Sequence, residues 1–281
     1  LVSFGERGAE QAGVLVGDAV LPVARIAPTL PFSVRLLIAG GHLPALAAAA
    51  AAWRGSGIPR ASLRLGPPVT DPGKIVAVGL NYRDHAAEQG KPFPTAPLFF
   101  AKARTALCGC RDAIVLPRTD CGPDFEVELA LVIGRGGRRI APADALGHVA
   151  GWMVANDVTA RRWQQGDGQW YRAKSVDTFL PCGPALVTTH EIADHTVLRL
   201  TTDLSGERMQ DATAAGLIHD VPAIIAALSE DQMLDAGDVI LTGTPAGVGC
   251  WREPKRFLRP GDTVRCAITG LGELVNPVVA G

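Results

Sequence analysis

A chain of 281 residues with a formal net charge of -1 and no long run of one sign offers no electrostatic footprint for nucleic acid or an anionic membrane as partner. Apolar residues at 47% and charged residues at 20% suffice for a sizeable core, in one large domain or one large domain with a small appendage. The 6 cysteines show no C-x-x-C spacing and a chain of this length needs no disulfide staples, so reduced thiols in a cytoplasm are expected.

The first residues, "LVSFGERGAE", lack the basic-then-apolar pattern of a signal peptide. Next, "GVLVGDAVLPV" predicts a strand pair turning at Gly17-Asp18. The most apolar stretch, "LPALAAAAAAW", is too short to span a bilayer. With Pro44 near its start and alanines after it, it predicts an ordinary helix. "RLGPPVTDPGK" is rich in proline and glycine and marks a boundary between a small N-terminal α+β domain, residues 1–70, and a larger domain, residues 71–281. Beyond it, "KIVAVGL", "PLFFAKA", "FEVELALVIG", "AGWMVAN", "TVLRLTTDL", "GDVILTGT" and "DTVRCAITGLGELVNPVV" read as strands. Helices are expected near 82–89, 142–149, 157–165 and 220–229. Strands in blocks, without regular β-α alternation, point to an α+β or largely antiparallel architecture and away from a doubly wound one.

The stretch "DFEVEL" raises the chemical question. Side chains alternate across a strand, so Glu126 and Glu128 share one face while Phe125, Val127 and Leu129 take the other. Two like charges on one face repel unless something positive lies between them. After the apolar run "GWMVAN", Asp157 opens an expected helical turn, with Arg161 and Gln164 at i+4 and i+7 on one face. Three acids beside a cation and an amide suit a hard divalent cation with oxygen ligands. The plainer alternative is a solvated face on which both glutamates pair with Arg or Lys.

A second cluster is "GLNYRDHAAEQG", where Asn81 is placed to cap a helix and Gly90 to end it. His85 and Glu88 then lie i, i+3 on one face, where a carboxylate orients an imidazole and raises its basicity; taken alone, such a pair is an ordinary surface contact. The Pro-rich "KPFPTAP" that follows suits a lid. Lys174 falls in an expected polar loop before a strand, placed to meet a substrate anion or a ligand carboxylate, or simply solvent. The glycines of "LTGTPAGVG" let backbone amides approach an anion. That loop lacks the Gly-Lys-Ser/Thr of a P-loop, and "GRGGRR" is no dinucleotide fingerprint, so nucleotide binding is excluded.

Taken in order, "GLNYRDHAAE", "LFFAKA", "FEVELALVIG", "HVAGWMVANDVTARRWQ", "GQWYRAKSVDTFLPCGP", "LTGTPAGVG" and "FLRPGDTVRCAITGLGEL" resemble the fumarylacetoacetate hydrolase family from about Lys74 to the C-terminus. The resemblance is to the bacterial acylpyruvase and 2-hydroxyhepta-2,4-diene-1,7-dioate isomerase-like branch. It implies a mixed β-roll-like fold and a homodimer. It also implies a Mg²⁺ or Mn²⁺ site, with Ca²⁺ a poorer fit, at Glu126, Glu128 and Asp157. Lys174 would support that site, His85 and Glu88 would form a base dyad on a lid, and Lys102, Arg161, Gln164 and Thr244 would line the substrate pocket. Departures are Ser205, where many relatives carry Asn, and Cys182, at a position often apolar.

The activity so implied is hydrolysis of a carbon–carbon bond in a 2,4-dioxo acid of the acylpyruvate or fumarylpyruvate kind. His85, oriented by Glu88, would activate water, the metal would stabilise the leaving pyruvate enolate, and Lys174 with Arg161 would meet developing negative charge. The same chemistry serves decarboxylation or isomerisation of 2-oxo and 2-hydroxy-dienoate diacids in aromatic catabolism, so fold and metal do not choose among them. A metal-binding relative without turnover is the alternative of another class, and the intact His85-Glu88 pair speaks against it.

Overall fold

Seven successive residues, Val127–Ile133, form one strand and are all buried, which only a central strand covered on both faces sustains. A computed structural model of the chain describes residues 1–192 and 194–281. Its N-terminal part is a four-stranded sheet of β1 (Val2–Phe4), β2 (Gln11–Val16), β3 (Ala19–Pro22) and β4 (Ile58–Pro59). Strands β2 and β3 turn across Gly17 and Asp18, with Val16 opposite Ala19. Helices α1 (Val23–Ile26), α2 (Val34–Ala39) and α3 (Leu43–Ala52) link β3 to β4, with Pro44 in the first turn of α3.

The larger part opens with β5 (Ile75–Gly79), α4 (Arg83–Glu88), β6 (Leu98–Ala101), β7 (Leu107–Cys108) and β8 (Ile114–Leu116). There follow β9 (Pro123–Asp124), β10 (Val127–Ile133), β11 (Val149–Asn156), β12 (Thr159–Ala160), α5 (Arg161–Gly166) and α6 (Tyr171–Lys174). It ends with β13 (Leu180–Thr188), β14 (Arg199–Leu204), β15 (Glu207–Thr213), α7 (Val221–Ser229), β16 (Val239–Leu241), β17 (Thr263–Ile268) and β18 (Gly272–Ala280). Seven strands make a mixed sheet in the order β6-β5-β16-β10-β11-β13-β7, in which only β5–β16 and β13–β7 are parallel. Five more form a second sheet, β15-β14-β17-β18-β8. The architecture is the mixed α+β, β-roll-like one that the segment order implies.

Strand parity sorts the core. Val127, Leu129, Leu131 and Ile133 join a cluster with Leu200 and Val264 of the second sheet. Ala130 and Val132, on the opposite face, pack in a cluster with Leu37 and Ile38 of α2. The face of β10 that carries Glu128 is therefore apolar and covered along its length, and turns polar only at its N-terminal end.

Several expectations change. Residues 157–160 stay extended because Thr159 and Ala160 pair with Asp124 and Pro123, so the helix begins only at Arg161 and Asp157 does not share a helix face with Arg161 and Gln164. The stretch near 142–149 is a 3₁₀ helix, Pro142–His148. Strand β15, "ERMQDAT", was not foreseen; it is a polar edge strand without a hydrophobic pattern. Asn81 does not cap α4; Tyr82 holds that position, and the Asn81 amide instead donates to the carbonyls of His219 and Thr242. At the start of α7, Asp220 does cap, accepting from Ala223 N at 2.9 Å. Among the described residues no helix is long and apolar enough to cross a membrane. All six cysteines are buried and unbridged.

Candidate metal centre and active site

The site grows out of the β10–β11 ladder. Val127 lies opposite Asn156 and Glu128 opposite Ala155. One step further along, Asp157 N donates to Glu126 O at 2.8 Å, so the same register sets Asp157 beside Glu126. Glu126 stands just outside the strand, yet it keeps the alternation and faces the same way as Glu128. Carboxylate oxygens of Glu126, Glu128 and Asp157 consequently lie within 4.8 Å of one another, and all three residues are buried.

Cations surround this cluster unevenly. Lys174 was expected in a polar loop; it closes the short helix α6, is 2% exposed, and donates to Glu126 Oε2 at 2.7 Å and Asp157 Oδ2 at 2.6 Å. Its ammonium also lies 4.9 Å from the centre of the Phe100 ring. Burial disfavours the charged form, but Asp157 and Glu126 outweigh it and raise the Lys174 pKa above the ordinary lysine value. Lys102 packs behind Asp157, 2.5 Å from Oδ1, and does not line the pocket as the resemblance implied; burial lowers its pKa. Arg161 reaches Asp124 Oδ2 at 2.8 Å and Glu126 Oε1 at 2.5 Å. Burial pushes the Glu126 carboxyl up, but Arg161 and Lys174 prevail and hold it down at about 2.

Glu128 differs. Among the described residues no cation pairs with it; its Oε2 accepts from Gly243 N at 2.6 Å. Burial, then the charges of Asp157 and Glu126, push its carboxyl well above the ordinary range. With Asp124 included, four buried carboxylates meet three cations, and Glu128 carries the excess. A hard divalent cation with oxygen ligands answers that surplus, so the donor set fits the metal the sequence pointed to.

His85 and Glu88 come together as their spacing predicts, with Nδ1 2.9 Å from Glu88 Oε2. Gln89 adds a contact the sequence reading passed over: its side-chain amide nitrogen lies 2.7 Å from His85 Nε2. A neutral ring protonated on Nδ1 satisfies both, donating to Glu88 and accepting from Gln89. The spacing to Gln89, one helical turn from His85, was there to be read.

The glycine loop after β16 does approach anions, and they are the protein's own. Gly243 N donates to Glu128, Gly247 N to Glu88 Oε1 at 2.9 Å, and Gly249 N to Asp124 Oδ1 at 2.8 Å. At Gly247, with φ +101°, a Cβ would meet Met209 O at 2.1 Å, so only glycine fits. Asp124 was overlooked in the sequence, although "DFEVEL" places it on the same alternation as the two glutamates. Thr244 lines the pocket, but its hydroxyl donates to Val127 O and accepts from Gln210. Gln164 lines it too and accepts from Arg161 Nη1 at 3.1 Å.

These groups open into one cavity of about 380 Å³. His85, Glu126, Glu128, Arg161 and Lys174 face it, and Phe100, Trp170 and Trp251 form an aromatic wall, Phe100 and Trp170 packing edge to face at 5.2 Å. A larger cleft of about 1190 Å³ lies between the N-terminal sheet and the second sheet. Its arginines 64, 199, 208 and 265 are tied to Glu10, Asp112, Asp203, Asp211 and Glu273, while Arg60 and Arg111 also line it and, among the described residues, pair with no carboxylate.

Residues 74–279 match the family described as Fumarylacetoacetate (FAA) hydrolase C-terminal. An oxaloacetate tautomerase FAHD2B, mitochondrial, of Bos taurus is 42% identical over 266 residues, 94% of this chain and 85% of that protein. A solved 2-hydroxyhepta-2,4-diene-1,7-dioate isomerase from Mycobacterium marinum is 41% identical, with a TM-score of 0.71 over 81% of this chain and 82% of that one. The maleylpyruvate hydrolase of Sphingobium sp. SYK-6, solved with manganese(II) and pyruvate, is 30% identical, with a TM-score of 0.83 over 100% of this chain and 98% of that one. Ladder register, carboxylate cluster, base pair and family match agree: this chain belongs to the fumarylacetoacetate hydrolase family of enzymes.

Proposed function

We propose that this enzyme interconverts the enol and keto forms of a small 2-oxo acid of the oxaloacetate class, with Mg²⁺ as its resident cation. The observation that carries the reading is the meeting of one oriented imidazole, His85, with Glu126 and the unpaired Glu128 of a buried carboxylate cluster in a single small cavity. Tautomerisation needs only a proton carrier and a means of stabilising negative charge on the 2-oxo oxygen; it needs no positioned nucleophile. The relative named as a tautomerase is 42% identical, against 30% for the one named as a hydrolase.

Glu126, Glu128 and Asp157 would hold the cation, which when bound supplies Lewis-acid stabilisation to a substrate carboxylate and 2-oxo group. His85 carries the proton at Nε2, once Gln89 yields that nitrogen to substrate. Glu88 keeps the ring in the tautomer that leaves Nε2 free to accept. Asp157 and Glu126 raise the Lys174 pKa, which suits it to the role of a fixed positive charge. The deciding measurement is the decay of the enol chromophore of oxaloacetate with Mg²⁺ and after chelation. Metal-dependent acceleration lost in His85→Ala supports the reading; decay at the uncatalysed rate sinks it.

A second reading keeps the hydrolysis of acylpyruvates. The aromatic wall of Phe100, Trp170 and Trp251 favours it, since it would accept an acyl group larger than a carboxylate. Pyruvate release from small acylpyruvates, outpacing enol decay, would select it. Assembly as a homodimer belongs to the same proposal, and light scattering at micromolar protein tests it.

A further inference from the structure

Three of the four basic side chains facing the cavity are engaged. Arg161 serves Asp124 and Glu126, Lys174 serves Glu126 and Asp157, and His85 lies between Glu88 and Gln89. Lys91 is the fourth, and among the described residues no carboxylate lies within 4.0 Å of its ammonium. Its backbone is nevertheless fixed. Gly90 takes φ +62° and its N–H donates to Ala87 O, while Lys91 N donates to Ala86 O, both at 3.0 Å. This closure ties Lys91 to the end of the helix that carries His85 and Glu88. Lys91 is exposed and stands at the cavity mouth, whereas Glu126 and Glu128 are buried at its floor.

We propose that Lys91 binds the second carboxylate of a dianionic four-carbon substrate whose first carboxylate and 2-oxo group lie at the carboxylate floor. The assignment rests on the metal-chelated 2-oxo acid reading above and adds the residue that selects for a dioate. A four-carbon dioate anchored at the floor extends its far carboxylate toward the mouth, where Lys91 is the uncommitted cation. A ligand with a methyl group there would leave the ammonium unpaired and gain nothing from it.

Calorimetry on the Mg²⁺-loaded full chain tests this with three stable ligands: oxalate, which occupies only the floor, malate, and 2-hydroxybutanoate, which replaces the far carboxylate of malate by methyl. The wild-type protein should prefer malate to 2-hydroxybutanoate by about fivefold, the size of one partly exposed ion pair. Lys91→Met should bring that ratio to about one and leave oxalate affinity unchanged, while Lys91→Arg keeps the preference. A preference that survives in Lys91→Met, or equal or absent binding of the two longer ligands to the wild type, overturns the role of Lys91 alone. If oxalate itself does not bind the loaded protein, the chelation reading fails, and this assignment falls with it.

Discussion

Gly247 holds Glu88 from behind. Its N–H donates to Glu88 Oε1 at 2.9 Å, while the other oxygen, Oε2, lies 2.9 Å from His85 Nδ1. The proposed base is thus oriented by a carboxylate that is itself fixed by a loop 159 residues away in the chain. Gly247→Ala forces a Cβ against Met209 O and must displace that loop. Turnover should fall on the order of 100-fold, the usual effect of a misplaced catalytic group, while calorimetric Mg²⁺ affinity stays near wild type. Unchanged turnover in a folded Gly247→Ala protein would show that the loop does not set the base.

Removing the base itself has a simpler expectation. His85→Ala should retain fold and metal binding and lose roughly 10²–10⁴-fold in rate. Full activity in this variant would move the proton carrier elsewhere.

Glu128 gives opposite signs in the two metal states. Its folded-state pKa is raised, so the folded apo protein holds a proton there that the unfolded chain has already released. That contribution is present below about pH 4, the ordinary carboxylate value, and is lost as pH rises toward the raised one. Glu128→Gln should therefore raise the apo Tm at neutral pH, by roughly 2 °C or more, and flatten its fall with rising pH. The same substitution should weaken Mg²⁺ binding by at least about tenfold, and wild-type Mg²⁺ affinity should climb with pH because binding discharges that proton. Differential scanning calorimetry with and without Mg²⁺ reads both signs; a lower apo Tm in Glu128→Gln contradicts the charge imbalance.

Asp124→Asn tests the fourth carboxylate. Asp124 accepts from Arg161, Gly249 and Cys250, and an amide cannot accept on both sides. The variant should lose about 3 kcal/mol of stability by chemical denaturation, as a buried ion pair broken on one side typically does. A loss within the range of a surface substitution would mean that the pair carries little.

What was legible in the sequence was what obeys short periods. The two-residue alternation of Glu126 and Glu128 survives in the folded chain because β10 is regular, and the three-residue step from His85 to Glu88 survives because α4 is. Asp157 was found through its place at the end of "GWMVAN", although by way of a helix that does not form there: pairing of Thr159 with Asp124 keeps the segment extended. Lys102 was named by resemblance alone and Lys174 was read as part of a polar loop; nothing local distinguishes the burial of Lys174, since α6 is only four residues long. The targets of the glycine loop lay beyond any local pattern. Gly243 and Gly249 meet Glu128 and Asp124 across 115 and 125 residues.

The bridge that Lys174 makes between Glu126 and Asp157 bears on when the ion arrives. Many metal sites are disordered until loaded, and their chains fold only as the ion binds. Here an internal ammonium already offsets much of the repulsion between Glu126 and Asp157, so the chain is expected to fold without the ion. Loading becomes a late, reversible event governed by ion concentration, and chelators should silence this enzyme without unfolding it.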